Sequence, residues 1–444
     1  MYTNKINKYK FKLESLDLQS GGKNLNISLM GGDIIGKGNT GCIYNPPLKC
    51  KNENTNNSSN MVSKFLKEDK AISEYNQSTF LKNIDPDNQY LIYPIKMCDI
   101  DLNDSNNKLL LKDCHKNIEQ YKTKLLYYKY GGVKYTDLKI ININTDVLNI
   151  FESITHLLDG LNLMHINDYV HLDIHKKNIV FNENKPYFID FEFSTEIKNF
   201  INVKINLFNS IQMFWPLELR LLANELLYLT DEKEYDKSIN LILNNILHNK
   251  HKWFDGVKDK IMTHISYKIF FNNKNTFLLL DPKKFCKEIL DQVKPLFLKP
   301  DIINWKQSLK VKSNIILNKD SPEYNLYSDI LKKSDVYAIG IFLINIFIYF
   351  IGQKEIKSKP GKKPYIIFNK NGNIINTNGI NPKFLDDLYD NLTKPFTIFI
   401  GKVIDFNFKT RLTSGELIVE YKKLLPAFKK YISDPEFEKL YKSR

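Results

Sequence analysis

The sequence is poor in the features that mark zinc-binding and secreted proteins. It has 5 cysteines in 444 residues, and none of them forms a C-x-x-C pair, which argues against a zinc site. A small, odd number of cysteines is typical of proteins that keep their thiols reduced inside cells. The first residues contain no apolar segment of the kind that a signal peptide needs. We therefore expect reduced thiols in an intracellular protein.

Long apolar runs are also scarce. Residues 336–351 come closest to a membrane span, but they are shorter than the run of about 20 apolar residues that a bilayer requires, and they include Asn345. We interpret this segment as a fully buried core helix and expect no membrane partner.

Charge of one sign is in excess but is not concentrated. The net charge is +14, from 64 Lys and Arg against 50 Asp and Glu. The lysines are scattered, and no dense basic arm occurs, so nucleic acid is not indicated beyond the net positive charge. Hydrophobic residues make up 43% of the chain, enough for a large core.

The most informative stretch is residues 170–195. Two apolar runs, 179–181 and 187–189, flank a polar Asn-Glu-Asn turn, which predicts a β-hairpin. His171, Asp173 and Asn178 precede the hairpin, and Asp190 follows it. Such a hairpin would bring carboxylates and an amide together at the edge of a cleft, where they could hold Mg²⁺ and orient a hydroxyl for phosphoryl transfer.

A glycine-rich segment lies near the start of the chain. Gly36, Gly38 and Gly41 stand between strand-forming residues, and their backbone N–H groups could approach phosphate oxygens closely. A dinucleotide-binding fold would open directly into a helix at this point. Pro46 and Pro47 block a helix here, so a strand–loop–strand lid over ATP is favoured.

A strand and a helix follow the lid. Residues 61–66 are predicted to form a strand that contains Lys64, and residues 71–81 have helical character and contain Glu74. These two residues resemble the strand lysine and helix glutamate of protein kinases, and that resemblance implies that Glu74 pairs with Lys64 and that Lys64 contacts ATP phosphates. Glu68 is the competing partner, but it lies too close to the end of the strand.

Further elements lead to the central stretch. Residues 90–97 and 124–128 are predicted strands, and a turn at 129–132 is the expected hinge between two lobes. Residues 146–164 show one wide apolar face with helical periodicity, which predicts a helix leading into the site.

The motifs together resemble the protein kinase superfamily. The pattern H-x-D-x-x-x-x-N followed by D-F is similar to its catalytic and DFG loops. Residues 215–218, Trp-Pro-Leu-Glu, resemble the A-P-E box, and residues 335–340 resemble the start of its buried central helix. Residues 405–413 resemble its terminal subdomain. In detail, the chain looks like the serine/threonine kinases proposed for giant DNA viruses, which would place it in the host cytoplasm or the virion.

The resemblance implies a role for each matching residue. Asp173 would be catalytic, Asn178 and Asp190 would bind Mg²⁺, and ATP would be the phosphoryl donor to Ser or Thr hydroxyls of a protein substrate. Asp335 would brace the catalytic loop. A structural pair would join Glu218 to Arg411. The implied nucleotide-binding residues are Ile35, Gly36, Lys37, Gly38, Gly41, Ile43, Lys64, Glu74, Lys129, Tyr130, His175 and Lys176, with Lys129 and Tyr130 acting through their backbones.

Three residues depart from the family pattern. Leu172 replaces an Arg that binds the phosphate of a phosphorylated activation loop, so we expect activity without such phosphorylation. His175 replaces a Lys at the γ-phosphate, and the adjacent Lys176 is a candidate substitute. Glu192 replaces the Gly of DFG, which also fits kinases of small alcohols of the choline and aminoglycoside type. A catalytically inactive scaffold is the non-enzyme alternative.

The expected fold class is α+β, with a bilobal protein-kinase-like architecture. A small β-rich N-lobe would precede a large helical C-lobe that contains a long helical insertion. The predicted division is an extension at 1–30, the N-lobe at 31–131, the first part of the C-lobe at 132–219, the insertion at 220–330 and the second part of the C-lobe at 331–444. The oligomeric state is not predicted.

Overall fold

A computed structural model describes most of the chain outside its first residues and the predicted insertion. The described residues are 33–37, 41–51, 60–104, 107, 111, 114, 122–200, 216, 219, 318–351, 353–356, 365–368, 374–375, 379–405 and 408–443. Within them the protein is a mixed α+β structure with an antiparallel sheet toward its N-terminal end, which confirms the predicted α+β class.

Five antiparallel strands form the N-terminal sheet in the order β1-β2-β3-β5-β4. They are β1 (Asp33–Lys37), β2 (Gly41–Asn45), β3 (Met61–Lys67), β4 (Lys96–Cys98) and β5 (Thr123–Lys129). Gly41 is required where β2 meets β3, because a Cβ there would lie 2.0 Å from the carbonyl oxygen of Phe65.

The register of the strands separates two faces of the sheet. Ile43 pairs with Lys64, and Lys64 pairs with Leu126, so these three side chains point to the same side, which we call the inner face. The neighbouring residues point to the opposite side, the outer face. Both faces are buried under other parts of the chain.

The outer face is covered by an apolar cluster and two disulfide bonds. Cys42 bonds to Cys114, and Cys50 bonds to Cys98, with Cα atoms 5.9 Å apart in each pair. The buried residues of this outer cluster are Cys42, Tyr44, Leu48, Cys50, Phe65, Ile100, Leu111, Leu125 and Tyr127.

The prediction of reduced thiols is therefore wrong for these four cysteines. The bonded residues are 72 and 48 positions apart in sequence, so the two cysteines of each pair meet only in the folded structure. A spacing rule that looks for nearby cysteines could not find them. Disulfides persist in oxidising surroundings, so the cysteine count no longer supports a reducing location. Cys286 lies outside the described residues.

Helix α1 (Glu68–Ile84) follows β3 directly and extends the predicted helix at both ends. Glu68 and Asp69 lie in its first turn, where the helix dipole favours negative charge.

The strand predicted at 90–97 is wrong over most of its length. Only Lys96 and Met97 of that range lie in β4, and Leu91 makes an isolated bridge to Phe188. The carboxylate of Asp85 accepts hydrogen bonds from the backbone N–H groups of residues 89–91, so those donors are not available to a neighbouring strand.

Helix α2 (Ile143–Ile166) and the hairpin behind it match the sequence prediction. Asn142 caps the helix by accepting a hydrogen bond from the N–H of Thr145, and the predicted apolar face is buried. Strands β6 (Tyr169–Val170), β7 (Ile179–Asn182), β8 (Lys185–Phe188) and β9 (Thr195–Glu196) come next. Glu183 and Asn184 both have positive φ, as the two-residue turn between β7 and β8 requires.

Helix α3 (Pro322–Phe350) confirms the predicted buried core helix. Among the described residues it alone is long and apolar enough to cross a membrane, but 78% of its most apolar window is buried inside the protein. The helix runs across the predicted boundary at residue 330. Residues 1–30 and 220–317 lie outside the described residues.

After α3, the described residues form a three-stranded sheet, five α-helices and a short π-helix (Tyr389–Thr393). Strands β10 (Gln353–Ile356), β11 (Tyr365–Phe368) and β12 (Ile374–Ile375) form the sheet. The helices are α4 (Pro382–Leu388), α5 (Lys394–Val403), α6 (Ser414–Lys422), α7 (Leu425–Ile432) and α8 (Pro435–Lys442). Phe151 of α2 stacks on Phe428 at 4.3 Å, and Phe347 of α3 stacks on Phe396 at 4.0 Å, which joins these helices in one core.

Candidate functional site

The predicted pairing of Lys64 with Glu74 is present. Lys64 lies in β3 on the inner face, and Nζ is 2.9 Å from Oε2 of Glu74 in α1. The two side chains are 11% and 5% exposed, so this is a buried ion pair. Glu68 instead lies 3.3 Å from Lys124. Removing one partner of such a pair typically costs about 3–5 kcal/mol, because a buried charge is left uncompensated.

Asp190 contacts the same ammonium group. Its Oδ1 lies 3.2 Å from Lys64 Nζ, although Lys64 and Asp190 are 126 residues apart. Burial alone would lower the pKa of Lys64, but the charges of Asp190 and Glu74 outweigh it and hold the pKa above its usual value. Lys64 therefore stays charged and links β3, α1 and the loop after β8.

Tyr128 supports Glu74 from β5. Its hydroxyl donates a hydrogen bond of 2.7 Å to Oε1 of Glu74. Burial raises the pKa of Tyr128 well above its ordinary value, so the phenol stays neutral and remains a donor. Nothing in the sequence pattern singled out this tyrosine.

Asp173 and Asn178 form a second polar pair. Asn178 Nδ2 donates to Asp173 Oδ2 at 2.7 Å and to the Asp173 carbonyl at 3.0 Å. Asp173 is 7% exposed, and its Oδ1 is buried and accepts no hydrogen bond from the described residues. Burial and the charge of Asp190 raise the pKa of Asp173 to about 8. A pKa this close to the working pH leaves part of the population as a carboxylate, whose unused acceptor atom can receive a proton from a bound hydroxyl.

His171 connects the two loops of the site. Its Nε2 lies 3.2 Å from the carbonyl oxygen of Ile189, and its Nδ1 accepts from the N–H of Asp173 at 3.3 Å. This pattern requires a neutral ring with the proton on Nε2. Burial lowers the pKa of His171, in agreement with a neutral ring. His171 therefore holds the Asp173 loop against the residue that precedes Asp190.

Asp335 of α3 braces the same loop, as the sequence predicted. Its Oδ2 accepts from the N–H of His171 at 2.7 Å, and its Oδ1 accepts from the N–H of Leu172 at 2.8 Å. Leu172 and Asp190 both have positive φ, 59° and 63°. Left-handed backbone costs about 1–2 kcal/mol for a residue with a Cβ, so the two hydrogen bonds to Asp335 help to hold Leu172 in a conformation that it would not choose alone.

The remaining predicted nucleotide-binding residues lie along β1, β2 and the end of β5. Ile35, Gly36 and Lys37 are in β1, and Ile43 is in β2 opposite Lys64. Lys129 is the last residue of β5, and the N–H of Tyr130 donates to the carbonyl of Asn60 at 2.9 Å. Gly38 lies outside the described residues.

His175 and Lys176 lie on the loop between Asp173 and Asn178. Burial lowers the pKa of His175 to about 4, so the ring is neutral at pH 7 and supplies no positive charge there. Lys176 is half-buried. A cation at the position where kinases place a γ-phosphate lysine would have to come from Lys176.

An apolar cluster lies beneath the inner face next to Lys64. Its buried members are Val62, Leu66, Ala71, Ile92, Leu126, Tyr128 and Val180, and Ile43 and Ile189 pack against it. Val180 belongs to the hairpin, so the cluster joins the sheet to the part of the chain that carries Asp173. Gly132 allows this approach at φ 93°, because a Cβ there would lie 1.8 Å from the carbonyl oxygen of Phe181.

The donor set fits a magnesium ion better than a zinc ion. In the described ranges, no three His, Cys, Asp or Glu side chains surround a common metal position. Mg²⁺ needs only one or two carboxylates, because waters and substrate phosphates complete its shell. The pKa of Asp190 is lowered, since Lys64 outweighs burial, and the carboxylate is ionised. Asn178 uses Nδ2 for Asp173, which leaves its amide oxygen as a ligand atom.

The structural pair predicted between Glu218 and Arg411 is not tested, because Glu218 lies outside the described residues. Arg411 is 1% exposed. It donates to the backbone carbonyls of Lys333 and Asp405, and its guanidinium lies 5.1 Å from the ring centre of Tyr337. It therefore contacts the middle of α3, next to Asp335.

No protein-family model matches this chain, and no curated protein matches it. The kinase relationship expected from the motifs therefore stays a prediction.

Proposed function

We propose that this protein is a protein kinase that transfers the γ-phosphoryl group of ATP to Ser or Thr hydroxyls of a protein substrate. The proposal includes a two-lobed kinase-like architecture, in which the five-stranded sheet with α1 is the small lobe. The cleft would lie between the inner face of the sheet and the β7–β8 hairpin.

The observation that supports this proposal best is the three-way ion pair at Lys64. Residues from β3, α1 and the loop after β8 meet at one ammonium group, with distances of 2.9 and 3.2 Å. An ammonium group held in this way can contact the α- and β-phosphates of a nucleotide. Such a convergence of residues far apart in sequence has no evident role in packing apolar surfaces.

The other polar residues have roles that follow from their contacts. Asp173, with Oδ1 buried and unbonded, would orient the acceptor hydroxyl and take its proton. Asn178 would fix Asp173 through Nδ2 and, with Asp190, offer oxygen atoms to Mg²⁺. The ion, when bound, would neutralise charge on the phosphates. Positioning and charge neutralisation account for most of the catalysis in such a reaction.

Radiolabelled ATP tests the proposal directly. The full chain is incubated with Mg²⁺ and ATP labelled at the γ-phosphate, once with a generic protein substrate and once with a panel of small alcohols. We expect label on the protein substrate. Transfer only to small alcohols would replace the proposal with a small-molecule kinase.

A thermal shift with Mg-ATP separates an enzyme from a scaffold. A ligand that binds the native state raises the melting temperature. We expect the shift in the wild type and in Lys67→Met, which changes an exposed lysine of the same strand, and a smaller shift in Lys64→Met. If Mg-ATP gives no shift in the wild type, the kinase proposal fails and the scaffold is favoured.

A further inference from the structure

Helix α1 carries Glu74, and one side of it faces the loop after Asp190. Lys70 Nζ lies 2.8 Å from Glu192, Gln77 lies 2.9 Å from Ser194, and the ring of Phe80 stacks on Tyr169 at 4.8 Å. The three α1 residues are spaced i, i+7 and i+10, which places them on the same side of the helix. This side therefore docks on β6 and on the loop that leads from Asp190 to β9.

The centre of this contact is the hydroxyl group of Ser194. Ser194 is fully buried, and three oxygens lie within hydrogen-bond distance of its Oγ: the Tyr169 hydroxyl at 2.6 Å, the Phe191 carbonyl at 2.6 Å and Gln77 Oε1 at 2.9 Å. A serine hydroxyl has one proton and two acceptor lone pairs. The Tyr169 hydroxyl is therefore the donor to Ser194, and Ser194 directs its own proton toward Gln77 and Phe191.

The orientation of the Gln77 amide agrees with this assignment. Its Nε2 faces the carbonyl oxygen of Glu192 at 3.4 Å, where only a donor is favourable. A reversed amide would place two acceptors against each other there. Gln77 thus binds the loop through Oε1 at Ser194 and through Nε2 at Glu192.

The neighbouring ion pair cannot serve as the main anchor. The side chains of Lys70 and Glu192 are 45% and 25% exposed. An ion pair that is open to water contributes little, whereas a buried hydroxyl bound to three oxygens is costly to disturb.

We propose that Ser194 is a positioning residue, whose buried hydroxyl docks Gln77 and so holds α1 where Glu74 meets Lys64. Gln77 is three residues beyond Glu74, about one helical turn away, so a shift of α1 at Gln77 moves Glu74 as well. The consequence for catalysis rests on the proposed function. The contact between Ser194 and Gln77 would keep α1 in place without a phosphate on the activation loop. This agrees with Leu172, which stands where the family pattern has the Arg that binds such a phosphate.

The test compares Ser194→Ala with Ser153→Ala in the full-length chain. Ser153 is the control, because its hydroxyl donates to the Ile150 carbonyl within its own helix, α2. Two measurements are made: hydrogen exchange of the α1 amides, and kcat and KM for Mg-ATP. We expect faster exchange in α1 and about tenfold lower kcat/KM for Ser194→Ala, with neither change for Ser153→Ala.

Two further variants separate positioning from general stability. Gln77→Met removes the partner at a half-buried position and should reproduce the effect if Ser194→Ala fails to fold. In a Glu74→Gln background, Ser194→Ala should cause no additional loss of kcat/KM, because it acts through Glu74. A merely structural role would give losses that multiply.

The outcomes for the two proposals are distinct. If the wild type transfers phosphate and both Ser194→Ala and Gln77→Met keep wild-type kinetics and exchange, the positioning role is overturned while the kinase proposal stands. If the wild type transfers nothing, the kinase proposal fails, and hydrogen exchange alone tests whether Ser194 positions α1. Unchanged exchange of the α1 amides in Ser194→Ala then overturns the positioning role, and faster exchange supports it.

Discussion

The two faces of the five-stranded sheet are built from alternate residues of the same strands, yet they hold very different contents. The inner face carries Lys64, Glu74 from α1 and the hydroxyl of Tyr128. Both faces pack against an apolar cluster, but of the two it is the outer face that carries the disulfides Cys42–Cys114 and Cys50–Cys98. The difference suggests a division of labour, in which the outer face supplies stability to a sheet whose inner face buries charge.

Asp173→Asn should give the largest effect and leave the outer face untouched. The amide keeps the size of the carboxylate and can still accept from Asn178, but it cannot take a proton. Loss of a positioned general base typically costs about 10²–10⁴-fold in rate. We expect turnover to fall by roughly 10³-fold with the melting temperature almost unchanged, as measured by steady-state kinetics and calorimetry. A large loss of stability with little loss of turnover would contradict the idea that the inner side serves catalysis and the outer face serves stability.

Breaking a disulfide of the outer face should do the opposite. Cys50 and Cys98 close a loop of 48 residues in sequence separation, for which a chain-entropy estimate gives about 4 kcal/mol of stability. The double variant Cys50→Ala/Cys98→Ala should lower the free energy of unfolding by an amount of that order, while kcat/KM measured well below the new melting temperature changes less than about twofold. Denaturant unfolding measures the first quantity, and Cys286→Ala is the control. A variant of unchanged stability would show that the bond does not support the sheet.

A group of three charged residues away from both faces shows how much an ion-pair network contributes to stability. Asp168 accepts from Lys319 at 2.7 Å and Lys332 at 2.8 Å, and these contacts outweigh burial and lower its pKa to about 2. Because the folded pKa is depressed, its stabilisation is present above the unfolded pKa of about 3.9 and is lost as the pH falls toward 2. Asp168→Asn should therefore lower stability by about 2 kcal/mol at pH 7, and the difference should shrink as the pH falls and vanish only below pH 2.

Unfolding curves of the wild type and Asp168→Asn at several pH values measure that difference. Asn tolerates the positive φ of 55° at this position, so the substitution removes charge without adding backbone strain. A difference that stays constant from pH 7 to pH 2 would contradict the charge explanation.

Two adjacent tyrosines provide the finest comparison. Tyr127 and Tyr128 are neighbours in β5 and point to opposite faces. The Tyr127 hydroxyl donates to the carbonyl of Leu48 on the outer side, and the Tyr128 hydroxyl donates to Glu74 on the inner side. Each Tyr→Phe change should cost about 1 kcal/mol of stability, the usual contribution of a hydrogen bond.

Only Tyr128→Phe should also change the kinetics. We expect its KM for Mg-ATP to rise about threefold to tenfold, because Glu74 loses a partner that fixes its carboxylate. Tyr127→Phe should leave KM unchanged. Equal effects of the two variants on KM would mean that the faces are not separate in function.

The inner face was largely predictable because its residues follow local spacing. Lys64 lies in the strand after the glycine-rich segment, and Glu74 lies in the next helix. Asp335 lies inside α3, at the position where the family resemblance implies an Asp that braces the Asp173 loop. Each prediction needed only a residue type at a position in a recognisable element, and the structure places the Lys64–Glu74 contact and the Asp335 contacts as expected.

The rest depended on contacts between distant segments. The cysteine pairs, the Tyr128–Glu74 hydrogen bond and the contact of Gln77 with Ser194 join residues 48 to 117 positions apart. A serine or tyrosine in a single sequence gives no sign of which distant oxygen it will meet. The failed strand at 90–97 has a local cause instead, because the Asp85 side chain accepts hydrogen bonds from backbone N–H groups that the sequence pattern assigned to a sheet.

The most direct measurement of the central claim pairs phosphate transfer with nucleotide binding in the wild type and Asp173→Asn. Transfer of labelled γ-phosphate is measured alongside Mg-ATP affinity by isothermal titration calorimetry. The account predicts that the wild type binds Mg-ATP and labels a protein substrate, and that Asp173→Asn binds with similar affinity and labels the substrate roughly 10³-fold more slowly. Equal labelling by the two proteins, or a wild type that does not bind Mg-ATP, would contradict it.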